Sequence, residues 1–212
     1  MKEKKGGRAV IMAGGPISDY SFYLPQKGDY VICADSGFRH ATAIGIAPDI
    51  LLGDFDSIAK LPTDVEVIRY PAEKDETDLQ IAIRHAMEKG YYSLLVIGAF
   101  GGRTDHFLGN ICLLNWAKKQ GADIVMQDGD TVIRLVTDDL ILPRKEQFYL
   151  SVIPLSEDAV VSISGVKYPL HAHKMAFGDT LGISNEFSEN TAHITVHSGK
   201  VLVIECRADK KL

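Results

Sequence analysis

Two aspartates separated by one residue, Asp54 and Asp56, stand in the segment Gly53-Asp54-Phe55-Asp56-Ser57, directly after the apolar run Ile50–Leu52. In extended chain, residues i and i+2 project to the same side, so these carboxylates can share one hard cation. Magnesium suits such a pair, because it takes a few carboxylate oxygens and fills its shell with phosphates and water. Gly, Asp and Ser are equally the residues of a plain turn, and the spacing leaves both readings open. A second acidic segment, Lys74-Asp75-Glu76-Thr77-Asp78, opens a run of helical period. Asp75 or Thr77 is an ordinary N-cap there, and the helix dipole favours acidic residues in a first turn. Capping does not account for Lys74 ahead of three carboxylates. A third metal ligand from Asp78 and a phosphate contact from Lys74 would account for both.

The third segment is Gly98-Ala99-Phe100-Gly101-Gly102-Arg103-Thr104-Asp105-His106. Gly101 and Gly102 let the backbone approach an anion, the following helix offers unpaired N–H groups, and Arg103 supplies a planar cationic fork. That is a phosphate cradle in physical terms, but it has neither the P-loop pattern nor G-x-G-x-x-G. Ala13-Gly14-Gly15 and Asp35-Ser36-Gly37 repeat the theme more weakly, and a glycine pair alone is usually a tight turn. His106 reads as incidental in its first helical turn and Trp116 as a packing residue. His171 and His173 alternate as strand residues do, with no third ligand for zinc.

Parallel strands and crossover helices would position these loops. Short continuous apolar runs predict strands over Ala9–Met12, Tyr30–Ala34, Ile50–Leu52, Val65–Tyr70, Ser93–Ile97 and Ile124–Met126. Amphipathic runs predict helices over Phe38–Ile44, Asp78–Glu88 and Asp105–Lys119, the last two followed by Gly90 and Gly121 as C-terminal stops. In an α/β sheet of this kind, ligands bind at the carboxyl ends of the strands, which is where the three segments fall. After Asp138 the texture turns β-rich, with strands expected over Gln147–Ile153, Val160–Ser164, Thr191–His197 and Val201–Cys206, and a hairpin turn at Ser198-Gly199. The expected organisation is an N-terminal α/β, Rossmann-like parallel-sheet domain over residues 1–137 and a C-terminal all-β sandwich over 138–212.

Composition narrows the function classes. Apolar residues make up 46% and charged residues 24% of the 212, the balance of a soluble globular chain. A net charge of -5 lacks the basic excess that nucleic-acid binding draws on. Cys33, Cys112 and Cys206 form no C-x-x-C pair and are odd in number, which fits a reducing compartment. The apolar run Ala9–Ala13 is too short for a signal peptide or a membrane span, so a cytoplasmic protein is expected.

Four motifs in order carry a resemblance over nearly the whole chain. They are Gly53-Asp54-Phe55-Asp56-Ser57, Lys74-Asp75-Glu76-Thr77-Asp78, Gly101-Gly102-Arg103-Thr104-Asp105-His106 with Asn110, and Gly182-Ile183-Ser184-Asn185-Glu186-Phe187. Together they resemble the ordered signature of the thiamine pyrophosphokinases. The resemblance implies an α/β nucleotide-binding domain, a β-sandwich, and a homodimer with active sites between protomers. It implies magnesium on Asp54, Asp56 and Asp78, a nucleotide and transfer site lined by Arg103, Asp105 and Asn110, and thiamine held by Ser184 and Asn185. Some members place a tryptophan near the C-terminus against the thiamine ring, and this chain has none after Trp116.

The implied reaction is attack of the thiamine hydroxyl on the β-phosphorus of ATP, giving thiamine diphosphate and AMP. Arg103 and Lys74 would stabilise the charge developing in transfer. The rivals are a metal-dependent phosphohydrolase whose first aspartate is the nucleophile, a nucleotide-sugar transferase using the D-x-D, and a non-catalytic nucleotide-sensing module. Phosphate release without an acceptor would mark the hydrolase, and binding without AMP formation would mark the module.

Overall fold

The computed structural model describes residues 5–55, 62–71 and 73–208. The chain divides into two compact units, Met1–Gly129 and Asp130–Leu212. The first contains β1 (Arg8–Met12), β2 (Tyr30–Ala34), β3 (Ile50–Gly53), β4 (Glu66–Arg69), β5 (Ser93–Ile97) and β6 (Asp123–Gln127), with helices α1 (Phe38–Ala43), α2 (Asp78–Glu88) and α3 (Thr104–Lys118). Their strands lie in the order β6-β5-β1-β2-β3-β4, and every pairing is parallel. The chain steps outward from β1 to β4, then returns to the other side of β1 for β5. That reversal opens a crevice beyond the carboxyl ends of β1 and β5.

Burial explains why these segments read as unbroken apolar runs. Ala9, Val10, Ile11 and Met12 of β1 are all 0% exposed, as are Ile50, Leu51 and Leu52 of β3. A central parallel strand is covered on both faces and has no polar side to show. Helix α2 starts where Thr77 Oγ1 accepts from the Gln80 amide at 3.2 Å, a side-chain cap followed by glutamine at the third helical position. Its buried stripe, Leu79, Ala82, Ile83 and Ala86, faces the sheet, and Gly90 at φ 93 ends it in the left-handed region.

The second unit contains β7 (Thr131–Val136), β8 (Asp139–Pro143), β9 (Phe148–Pro154), β10 (Ala159–Ser164), β11 (Leu170–Met175), β12 (Asn185–Glu186), β13 (Thr191–Ser198) and β14 (Val201–Arg207). They form two antiparallel arrays, β12-β9-β14-β7 and β11-β10-β13-β8. Val136, Leu150, Val152, Val201 and Val203 of the first share one core with Leu142, Val161, Ile163 and Ile194 of the second. Inward apolar residues alternate with outward, mostly polar ones along β10 and β13, whereas β7, β9 and β14 carry runs of consecutive buried residues.

Two expectations change here. Residues 131–136, which fell within the expected first domain with no strand expected there, form β7, which pairs with β14 from Val201↔Val136 to Cys206↔Thr131 and lies in the second unit. The turn at Ser198-Gly199 does not close a hairpin. Its flanking strands lie in different sheets, β13 against β8 and β10, and β14 against β7 and β9. A Cβ on Gly199, at φ 75, would come within 2.3 Å of Ser156 Oγ and 2.8 Å of Ala159 Cα, so the turn is pressed onto the start of β10 as the chain changes sheets.

Candidate active site

A cleft of about 470 Å³ opens at the carboxyl edge of the parallel sheet. Five segments supply its walls: Ala13–Pro16 after β1, Asp35 and Ser36 after β2, Asp54 after β3, Lys74, Glu76 and Thr77 with the first turn of α2, and Gly98–Arg103 after β5. All three sequence segments therefore meet, from positions far apart in the chain. A second cleft of about 520 Å³ lies at the amino edge, where Arg8 and Asp29 satisfy each other at 2.8 Å and 2.9 Å. Size does not separate the two, but chemistry does, because the carboxyl-edge cleft gathers Asp35, Asp54, Glu76 and Asp78, whereas the carboxylate of the other cleft, Asp29, is already paired with Arg8.

Asp54 is aimed by its neighbour in the chain. Phe55 sits at φ 60 with its ring in the sheet core, 4% exposed. That left-handed turn is unfavourable for an aromatic residue and is offset by burying the ring, which is worth about 1.5–3 kcal/mol. Arg69 clamps the same place, its guanidinium 5.5 Å from the Phe55 ring centroid and its Nη1 donating to the Asp54 carbonyl at 3.3 Å. Asp56 lies outside the described residues.

Lys74 is mostly buried and stands between two carboxylates, 2.9 Å from Asp78 Oδ1 and 4.0 Å from Asp54 Oδ2. The ammonium gives Asp78 Oδ1 a charge contact, yet that buried oxygen receives no directed hydrogen bond, and neither does Asp35 Oδ1. Buried carboxylate oxygens without donors fit a cation site, since a hydrogen-bond donor or a metal would complete them. Among the described residues no three carboxylate, histidine or cysteine side chains close into a metal cage. Asp54 and Asp78, bridged by Lys74, fit two sides of one.

The glycine loop is shaped by close approach. Gly98, Gly101 and Gly102 take φ of 71, 72 and 67, which side-chain-bearing residues rarely adopt. A Cβ on Gly98 would fall 2.3 Å from the Ala13 carbonyl oxygen. Asn110 of α3 lines the cleft and donates from Nδ2 to the Ala99 carbonyl at 3.0 Å, tying helix to loop. Arg103 projects into solvent and forms a two-pronged pair with Asp105, at 2.6 Å and 3.1 Å. The Arg103 hydrogen bonds, with help from the His106 amide, hold the Asp105 carboxyl down at about 2. His106, read from sequence as incidental, is part of the wall. Glu76 also lines it, but is paired with Arg84 at 2.7 Å.

Ser184 and Asn185 lie in the second unit. Ser184 takes φ 59, and its amide donates to Ser151 Oγ at 3.0 Å. Asn185 is 6% exposed. Its Oδ1 accepts from the amides of Tyr168 and Glu186, both at 3.0 Å, and its Nδ2 donates to the Tyr168 carbonyl at 2.8 Å. One amide hydrogen remains for any ligand. Sequence reasoning assigned Asn185 a binding role and missed this clip, because nothing in the motif itself points to Tyr168.

The family models bear directly on this arrangement. Residues 23–126 match the thiamin pyrophosphokinase catalytic domain, and residues 139–201 match the thiamin pyrophosphokinase vitamin B1 binding domain. A thiamine pyrophosphokinase of Bacillus subtilis is 35% identical over 208 residues, covering 92% of this chain and 96% of its own. The crystal structure of the Bacillus subtilis enzyme superposes with a TM-score of 0.86 at 32% identity, covering 96% of this chain and all of that one, 100%. That of an Enterococcus faecalis family protein gives 0.83 at 29%, with 96% and 100% covered. A parallel-sheet unit with an acidic, glycine-lined cleft at its carboxyl edge can receive phosphates and a divalent cation, which is the class of site a phosphate-transferring enzyme needs. The chain belongs to the thiamine pyrophosphokinase family.

Proposed function

We propose that the chain transfers the pyrophosphoryl group of ATP to the hydroxyl of thiamine, giving thiamine diphosphate and AMP. The observation that carries this reading is the convergence of Asp54, Lys74, Asp78 and the Gly98–Arg103 loop on one cleft, from three separate strand ends of a family member. Against the hydrolase, sugar-transferase and sensing readings stand the relatives from Bacillus subtilis, Caenorhabditis elegans and Oryza sativa, each named a thiamine pyrophosphokinase.

The first unit is a Rossmann-like nucleotide domain in this reading. ATP lies with its phosphates over the Gly101–Gly102 turn and the N-terminal turn of α3, where amides and Arg103 meet negative charge. Magnesium, held by Asp54 and Asp78 with Asp56 as a third ligand, would neutralise phosphate charge and hold the chain of phosphates in line. Lys74 meets the phosphates as a point charge, and its burial keeps it from bulk water. Arg103 leaves Asp105 to follow the group in transfer, which its exposed position allows. Catalysis of this kind is mostly positioning and charge stabilisation.

The second unit, with Ser184 and Asn185, takes the thiamine side, and the enzyme works as a homodimer whose sites lie between protomers. A cytoplasmic location accords with Cys33, Cys112 and Cys206 being thiols not joined in disulfides, and Cys33 is pushed by burial to about 12 and is inert in the core. No helix among the described residues is long and apolar enough to cross a membrane. Incubation with ATP, magnesium and thiamine, with products resolved by mass, tests the reaction. Thiamine diphosphate with AMP is expected, and thiamine monophosphate with ADP would overturn it.

A further inference from the structure

His40 does not line the cleft, yet it lies beneath two of its walls. It is 2% exposed, on α1, and both ring nitrogens are engaged. Nε2 lies 2.8 Å from the Gly15 carbonyl oxygen and Nδ1 lies 2.6 Å from Tyr20 Oη. A carbonyl only accepts, so Nε2 carries the hydrogen, and the bare Nδ1 accepts from the Tyr20 hydroxyl. Burial, with Arg39 nearby, lowers the imidazole from its usual range and keeps this neutral form.

The contact continues beyond Gly15. The Gly15 amide donates to the Gly98 carbonyl at 2.7 Å, and a Cβ on Gly15 would fall 2.4 Å from that oxygen and 2.5 Å from the Phe100 carbonyl. The Gly14 carbonyl is taken by Arg39 Nη2. Tyr20, His40, Gly15 and Gly98 thus form one hydrogen-bonded line. It runs from the loop ahead of β2, through α1, to the β5 loop that carries Arg103. The same line turns the Gly14 and Gly15 carbonyls onto α1. A carbonyl oxygen left facing the cleft would repel a phosphate, and a buried one without a donor carries its full desolvation cost.

We propose that His40 is a positioning residue for the nucleotide, acting through the Gly15 carbonyl to set the floor on which the phosphates rest. This rests on the reading of the cleft as the ATP site. It adds a residue outside the family's four motifs, and one that touches neither substrate.

Two polar substitutions separate the role from general stability. His40→Gln places an amide N–H where Nε2 stands and keeps the donor to Gly15. His40→Asn places its amide at the Nδ1 position and loses that donor. The dissociation constant for a non-hydrolysable ATP analogue with magnesium is measured by calorimetry, and the KM for ATP and for thiamine by product formation. His40→Asn should weaken nucleotide binding and raise the ATP KM about tenfold, the size of one buried carbonyl losing its donor, with the thiamine KM unchanged. His40→Gln should stay within about threefold of the original on both measures. Tyr20→Phe, which leaves the Gly15 bond in place, should resemble His40→Gln. Equal effects of Gln and Asn, or a shift confined to kcat and melting temperature, would overturn the proposal while leaving the ATP reading intact. An unaltered protein that binds no nucleotide would overturn both.

Discussion

Lys74 places its ammonium 2.9 Å from Asp78 Oδ1, between that carboxylate and Asp54, so the acidic pair carries a built-in counter-charge. A metal approaching this pair without nucleotide must compete with a fixed cation, whereas a metal arriving with phosphates gives Lys74 a new partner. Lys74→Met should therefore bind free Mn²⁺ more tightly than the original protein, by at least about tenfold, since one positive charge within 4.0 Å is gone. Turnover should fall at the same time, because the proposed contact of Lys74 with the phosphates is lost. Electron paramagnetic resonance of free Mn²⁺ reads the affinity, and identical curves for the two proteins would dismiss the counter-charge.

Asp54→Asn and Asp56→Asn should each lower turnover by at least about a hundredfold, because each removes charge where phosphate charge must be balanced. Raising magnesium should restore part of the loss. Asp54 is aimed by Phe55 and Arg69, which the substitution leaves in place, so the melting temperature should stay near the original. Rates near the original at limiting magnesium would make the D-x-D a turn and no more.

Arg103→Lys should not be conservative. Lysine keeps the charge but not the planar pair of donors that now grips Asp105 and would grip a phosphate. The loss should fall on kcat more than on nucleotide affinity, since charge develops in transfer. While Arg103 grips it the Asp105 carboxyl is held at about 2, and once released it is an ordinary carboxylate, so it is ionised near neutral pH in either state. An acid limb in the rate profile above about pH 4 should therefore persist in Asp105→Asn. Disappearance of such a limb would assign it to Asp105 after all.

How much was legible depends on local physics. Strands β2 and β5 and helix α2 have the bounds that apolar runs and capping dictate, because a parallel strand buried on both faces has no other way to be written. Strand β7 contains Val132, Ile133, Leu135 and Val136, but Arg134 interrupts the run. Its burial is tolerable only because Glu205 on β14 lies 3.3 Å away, a partner no local window contains. The Ser198-Gly199 turn has hairpin residues, and only the partners of each strand reveal that the chain changes sheets. In the cleft, the acidic and glycine segments announce themselves by residue type. His40 does not, since its role comes from Gly15 and Tyr20, which meet it only when the sheet is assembled.

Stability should weaken on the acid side of neutrality. His40 and His85 are both buried, at 2% and 8% exposed. Burial lowers each imidazole below its ordinary 6.5, with Arg39 adding to this at His40 and Lys89 and Arg84 at His85, against Glu88 and Glu66. The unfolded chain then binds more protons than the folded one between the two pKa values. The stability they contribute is complete above about pH 6.5 and is lost as pH falls through the depressed folded values. Melting temperature should decline from about pH 6.5 downward, and less steeply in His85→Gln, whose neighbour Tyr30 keeps a polar partner. An unchanged slope in that variant would place the titration elsewhere.

The division of labour between the two units sets the last prediction. Asp54 belongs to the first unit and Asn185 to the second, and the proposed dimer builds each site from the first unit of one protomer and the second unit of its partner. Asp54→Asn and Asn185→Ala should then each be nearly inactive alone. Mixed and allowed to exchange subunits, they should recover, because a mixed dimer has one site carrying both defects and one carrying neither. Random exchange makes about half the dimers mixed with one of two sites intact, so activity should approach roughly a quarter of the original. Asn185→Ala also removes the clip on Tyr168 and Glu186, so its melting temperature is measured alongside, and a fold that holds at the assay temperature is required for the comparison. Exchange itself is followed with two affinity tags. If tagged mixed dimers form and the mixture stays as inactive as its parents, each site is built from one chain, and Asn185 acts only through the loop it pins.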